Sequence, residues 1–249
     1  MLASLALLLL PAQSVVEPRT EVAFATHAVF AGSKKEQQLL GTGVRTKTIF
    51  AVKVYALGVY VEPLAAAKAL VKWQGVKPKK LRQDDKFFAA LLAGNFSKTL
   101  RWVFVRDVDG EAIAEAFEDQ LEPRLKKMAK EAQALTKNEK QVEAAKDAQK
   151  NAQNGLLALK GYFTKELKEG QEILFVWHSD GTLITLSDGN ILGKIGSGVL
   201  AHALFDTTLG EDPVSESAKE NMADGLLGVF STAAKARVRN APSQNAPSR

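Results

Sequence analysis

Apolar and polar residues alternate with a period of two near both ends of the chain and with a period near 3.6 between them. From Glu21, Val22, Phe24 and Thr26 alternate with Ala23, Ala25 and His27, predicting a strand that runs out at Gly32-Ser33. Gln38 to Thr48 and Val52 to Val61 predict two more strands, the second rich in β-branched and aromatic residues. Pro63 opens a short Ala-rich helix, Leu64 to Trp73, and Asp84-Asp85 opens another that Gly94-Asn95 ends. Thr99 to Val105 is again strand-like, with Leu100, Trp102 and Phe104 on one face and Arg101, Val103 and Val105 on the other. A long helix follows, its buried stripe spelled by Ile113, Phe117, Leu121 and Leu125, with Pro123 as a candidate kink. Glu172 to His178, Thr182 to Ser187 and Ile191 to Ile195 form a meander punctuated by Asp180-Gly181 and Asp188-Gly189. Val199 to Thr208 and Glu216 to about Ala236 predict the last two helices. Antiparallel strands first and last, with helices between and after, make an α+β fold: one large antiparallel sheet with helices packed on one face.

The ends and one internal stretch read differently. Met1 to Leu10 is almost wholly apolar, and Ala12-x-Ser14 fits the small-x-small rule, so residues 1–14 are expected to be a signal peptide. The run is shorter than the ~20 residues that span a bilayer, and it lacks a basic n-region. No later segment could cross a membrane, and the expected location is periplasmic or secreted. The domain proper occupies 21–236. Within it, Lys126 to Asn154 is Lys, Glu, Gln and Ala with little to bury. It is either a solvated helical extension or a surface for a protein partner. Residues 240–249 are polar and Pro-rich, predicting a disordered tail.

Composition mainly removes possibilities. The 249 residues suffice for one large domain. A net charge of +5, spread along the chain without interleaved aromatics, is not the footprint of a nucleic-acid binder. The absence of cysteine excludes disulfides, thiolate metal sites and a cysteine nucleophile. His27, His178 and His202 are far apart, so no metal site is expected. No P-loop, nucleophile elbow or dinucleotide fingerprint is present, and no cofactor is expected.

Leu39-Leu40-Gly41-Thr42-Gly43-Val44-Arg45, followed by Val54-Tyr55-Ala56-Leu57-Gly58-Val59-Tyr60, resembles the signature of the chalcone isomerase-like family. Phe96-Ser97-Lys98-x-Leu100-Arg101 with Phe104-Val105-Arg106-Asp107-Val108, and Leu209-Gly210-Glu211-Asp212-Pro213-Val214-Ser215, are similar to stretches of its bacterial members. The resemblance runs from about Val22 to Ala236 and implies a ligand cleft between sheet and helices. In the plant enzymes of that family an arginine on the first strand binds the substrate's anionic oxygen. A threonine on the next strand, a tyrosine and an asparagine on a helix, and a late threonine complete the site. In the fatty-acid-binding branch, the arginine and a tyrosine hold a carboxylate.

Position by position, the resemblance places Arg45 at the arginine and Tyr55 at the threonine of the enzymes or the tyrosine of the binders. Ile113 falls at the helix tyrosine, Gln120 at the asparagine and Thr207 at the late threonine. A guanidinium can pair both oxygens of a carboxylate, and a phenol adds one donor. Arg45 and Tyr55 can share a ligand only if the chain turns back midway; a hairpin centred near Phe50 would set them opposite each other. Taken alone, each residue has a plainer reading: a strand-edge arginine paired with a carboxylate, a half-buried aromatic, a surface glutamine, and a threonine bonded back to its own helix. Arg101 and Arg106 read as partners of sheet-edge carboxylates. The implied function is binding of a fatty acid or similar small-molecule carboxylate by Arg45, Tyr55, Ile113, Gln120 and Thr207. The alternative is a chalcone isomerase-type intramolecular lyase in which Arg45 and Thr207 are catalytic.

Overall fold

The computed structural model describes residues 13–33, 35–47 and 51–239. Its centre is a seven-stranded antiparallel sheet whose strands neighbour one another in chain order. They are β3 (His27–Ala28), β4 (Gln37–Lys47), β5 (Val52–Val61), β6 (Lys98–Phe104), β7 (Glu172–Trp177), β8 (Leu183–Ser187) and β9 (Asn190–Ile195). β1 (Ser14–Val16) and β2 (Ala23–Ala25) form a separate ribbon. The helices are α1 (Pro63–Ala69), extended by a 3₁₀ turn at Val71–Trp73, α2 (Pro78–Leu81), α3 (Asp85–Ala93), α4 (Gly110–Ala134), α5 (Glu139–Gly161), α6 (Gly198–Leu209), α7 (Glu216–Asp224) and α8 (Leu226–Arg239).

Strand alternation sorts the side chains into two cores. Tyr55, Leu57, Val59 and Val61 of β5, with Leu100, Trp102 and Phe104 of β6, join the helices in the larger one. Ala56 and Tyr60, with Leu174, Val176, Ile184 and Leu186, form a smaller one on the opposite face, closed by Phe24 from the ribbon. The period of two thus builds an amphipathic sheet whose thicker side carries all the long helices. Arg101 points to the thin side, pairs with Glu172 and lies 4.8 Å from the Phe24 ring centre.

Three elements depart from the sequence reading. The strand expected from Glu21 divides at Thr26: β2 pairs with β1, and β3 pairs with β4. The Thr26 backbone N–H and hydroxyl both donate to the Gln13 carbonyl, tying the ribbon to the chain before it. The helix expected from Glu216 to Ala236 is two helices, broken at Gly225. A Cβ there would lie 2.1 Å from the Leu40 carbonyl oxygen, so close approach to β4 decides the break. Lys126 to Asn154 is not one extension. It comprises the end of α4, a turn with Leu135 exposed, and most of α5, which returns and buries Ala152, Leu156 and Leu159. Residues 1–12 of the expected signal segment 1–14, the expected tail at 240–249, and Phe50 between β4 and β5, lie outside the described residues. Among the described residues, no helix is long and apolar enough to cross a membrane.

Candidate functional site

The site begins with β4. Gly41, Gly43 and Arg45 share the face turned to the helices. A Cβ on Gly41 would lie 2.4 Å from the Asn221 carbonyl oxygen, and one on Gly43 would lie 2.3 Å from the Ala218 Cβ. The two glycines therefore let α7 lie directly on the strand, where Asn221 donates to the Thr42 carbonyl at 3.0 Å. Two residues further along, Arg45 clears the start of α7, and its Nη1 donates to the Val214 carbonyl at 2.8 Å. The spacing glycine, glycine, arginine is thus a docking surface followed by a cation. Among the described residues Arg45 pairs with no carboxylate, so the strand-edge ion pair is not formed.

Arg45 and Tyr55 are direct cross-strand partners. Immediately beside them the register shifts, because Thr46 pairs with Lys53 and leaves Val54 as the extra residue of a bulge. Bulges of this kind re-aim side chains at the rim of a sheet. The Tyr55 ring is buried, stacked 4.2 Å from Trp102 with only 14° between the planes, and edge-on to Phe104 at 5.7 Å. Burial pushes its phenol far above the ordinary tyrosine range, and the nearby Arg45 charge pulls the other way without overcoming it. The hydroxyl therefore stays a neutral hydrogen-bond donor in neutral solution.

The opposite wall comes from α4 and α6. Asp109 caps α4 by accepting from the Glu111 N–H at 3.0 Å. Ile113, Ala116, Phe117 and Gln120 then follow along the face turned to the cavity. Arg124, one turn beyond Gln120, locks α4 to α6 through Asp206 at 2.9 Å and donates its Nη1 to the backbone and side-chain oxygens of Gln120. Thr207 on α6 donates its hydroxyl to the Leu204 carbonyl at 2.7 Å, the back-bonded arrangement of an ordinary helical threonine.

Between these walls lies a cavity of about 180 Å³, and Arg45, Tyr55, Ile113, Gln120 and Thr207 all line it. Residues from three distant parts of the chain, the β4–β5 hairpin, α4 and α6, are thus brought to one place. The contributions differ. Arg45 and Tyr55 present donors, Ile113 presents hydrocarbon, and the oxygens of Gln120 and the hydroxyl of Thr207 are engaged within their own helices. Sequence reasoning did not assign Val108, Leu204 and Val214 to the wall, nor the rim of Lys47, Glu115 and Asp119. Val214 acts through its backbone carbonyl, which has no side-chain signal. Trp102 was legible as a residue of the buried face, bulky enough to fill space in the cleft, and it lines the cavity. Its Nε1–H is buried with no acceptor among the described residues. Also among the described residues, no three His, Cys, Asp or Glu side chains are grouped to hold a metal ion.

An antiparallel sheet carrying a lone arginine and a tyrosine into an apolar cleft under helices defines a class of α+β ligand-cleft proteins. The chain belongs to the chalcone isomerase-like family, whose sequence model matches residues 35–223. It is 29% identical over 223 residues to fatty-acid-binding protein 2 of Arabidopsis thaliana, which covers 86% of this chain and 51% of that protein. The chain therefore spans about half the length of that relative. It is 27% identical over 219 residues to a chalcone–flavanone isomerase of Elaeagnus umbellata, covering 86% of this chain and 81% of that one. The crystal structure of the Arabidopsis thaliana fatty-acid binding protein AtFAP1 superposes with a TM-score of 0.68 at 22% identity, over 88% of this chain and 99% of that one. This likeness establishes the shared fold.

Proposed function

We propose that this protein binds a fatty acid or a similar carboxylate in the cleft between sheet and helices, without catalysing its conversion. The observation that carries the reading is the cross-strand pair Arg45–Tyr55, which turns two donors, neither spent on an acidic side chain among the described residues, toward an apolar cavity. A carboxylate offers two acceptor oxygens to that pair, and its hydrocarbon meets Val108, Ile113 and Leu204. The names of two Arabidopsis relatives, fatty-acid-binding proteins 1 and 2, support the same ligand class. The test is native mass spectrometry of the purified protein with identification of co-purified acid. A stoichiometric carboxylate that is lost in Arg45→Ala supports the reading; one retained by Arg45→Ala defeats it.

A second reading is an isomerase or intramolecular lyase acting on a chalcone-like or other enone substrate. It is favoured by the chalcone–flavanone isomerases among the relatives and by Thr207 standing in the same cavity as Arg45. Arg45 would stabilise a developing oxyanion electrostatically. Ile113 weighs against it, since a hydrocarbon stands where the resemblance calls for a tyrosine, and so does the Thr207 hydroxyl already donated to Leu204. Turnover of naringenin chalcone above the spontaneous rate would select this reading. The apolar start of the chain supports export to the periplasm or beyond; N-terminal sequencing of protein recovered outside the cytoplasm tests it.

A further inference from the structure

The cavity's size and its inner wall bear on which carboxylate fits. An apolar protein cavity of about 150 Å³ accepts benzene, whereas clefts for drug-sized ligands run to roughly 300–1,000 Å³. At about 180 Å³, this one has room for a ligand little larger than a single ring. With a carboxylate held by Arg45 and Tyr55, a tail can advance only until it meets Trp102. That indole lies between the Tyr55 ring at 4.2 Å and the Phe117 ring at 5.9 Å, each within 14° of parallel, and meets Phe175 edge-on at 4.8 Å. Tyr55 and Trp102 stand on the sheet and Phe117 on α4, so the stack bridges the two layers. Phe163 packs behind it, 5.2 Å from Phe117. The other end of the cavity is bordered by the exposed Lys47, Glu115 and Asp119. Hydrocarbon that does not fit inside must leave there, into water.

We propose that the site selects a compact carboxylate of roughly six to eight non-hydrogen atoms, and that Trp102 is the residue that sets this limit. The inference rests on the carboxylate reading above and adds to it the size of the ligand. Trp102 is a specificity determinant: it shapes the space for the tail and plays no part in holding the carboxylate.

The physical signature is a break in a homologous series. Each methylene buried in an open cleft raises affinity about fourfold; a methylene outside the cavity raises it hardly at all. Binding of butanoate, hexanoate, octanoate, dodecanoate and hexadecanoate is measured by titration calorimetry below their micellar concentrations. The expected result is a rise of about fourfold per methylene up to hexanoate, then less than about a tenfold total gain to hexadecanoate. An unbroken rise, which at that rate exceeds about a hundredfold between octanoate and dodecanoate, overturns the inference. Trp102→Ala opens space at the position where the tail is held to stop and is expected to carry the rise on to dodecanoate. Trp102→Phe removes the unpaired N–H and part of the indole but keeps one aromatic ring in place; it is expected to retain a break. If Trp102→Ala binds dodecanoate no better than the parent, the assignment to Trp102 is wrong. Should that variant not fold, the series on the unaltered protein and on Trp102→Phe still decides. Failure of the underlying reading looks different: no member of the series binds, or Arg45→Ala leaves all affinities unchanged.

Discussion

Two cations are drawn into this protein from the strands of one sheet, and they are treated in opposite ways. Lys98, at the start of β6, is 1% exposed. Its Nζ donates to the Gly94 carbonyl at 2.6 Å and the Phe96 carbonyl at 3.3 Å, and lies 4.3 Å from the ring centres of both Phe96 and Trp177. Arg45, on β4, is half-buried, gives one bond to the Val214 carbonyl and faces a cavity. Lys98 has its donors consumed by the carbonyls that follow α3 and its charge covered by aromatic faces. It is a clasp. Among the described residues, part of the Arg45 fork is left without an acidic partner and faces the cavity. Burial alone therefore does not mark a functional cation; what matters is whether its donors end on the protein or on open space.

The comparison can be broken in several ways. The largest expected effect is on Lys98. Lys98→Ala leaves a cavity and two carbonyls without their donor, and should lower stability by about 3 kcal/mol in urea unfolding while leaving carboxylate affinity intact. Loss of affinity at unchanged stability would assign Lys98 to the site. Next, Arg45→Ala should weaken carboxylate binding about a hundredfold, the scale of a charge-assisted pair. It should shift stability by no more than about 1 kcal/mol. A large stability loss would make Arg45 a clasp as well.

The pH dependence separates the two cations further. Burial pushes the Lys98 ammonium down to about 7 from its ordinary 10.5, although the two carbonyls and two rings favour the charged form. Between those values the unfolded chain holds a proton that the folded chain has released, so stability rises with pH from about 7 toward 10.5. The measurement is best ended below pH ~10. Tyr55 and Tyr60, whose phenols burial raises, contribute the opposite slope above it. Lys98→Met should flatten the rise, as read by urea unfolding at a series of pH values. Smaller still, Tyr55→Phe removes one neutral donor and should weaken binding about tenfold. Thr207→Val, whose hydroxyl bonds only its own helix, should leave carboxylate affinity unchanged; a marked loss of isomerase turnover in that variant would favour the catalytic reading.

Much of this architecture could be read from residue order. The β4 to β9 strands, the capping residue Asp84, and the turn at Asp188-Gly189, both of positive φ, are local features, and each appears where the pattern places it. The opposition of Arg45 and Tyr55 was legible from counting back across a hairpin, even though no glycine or proline marks its turn. What was misread depends on contacts far away in sequence. The break at Gly225 exists because Leu40 lies against it, and the division at Thr26 because β2 and β3 find different partners. The return of α5 rests on Ala152, within the polar stretch, and on Leu156 and Leu159 just beyond it; a single small residue inside the stretch is too little to announce a buried stripe.

By itself, then, the sequence determined the sheet's alternation, the start of most helices, and a glycine, glycine, arginine spacing that commits one cation to the helix-facing side. These follow from dihedral preference and side-chain period, which act over a few residues. Only the tertiary structure decided that Arg45 has no acidic partner among the described residues, that the oxygens of Gln120 and the hydroxyl of Thr207 are occupied, and that Trp102 lines the cavity stacked between Tyr55 and Phe117. Those outcomes depend on which side chains from β5, β6, α4 and α6 meet in one volume. Close packing of distant segments sets that volume, and no local rule contains it.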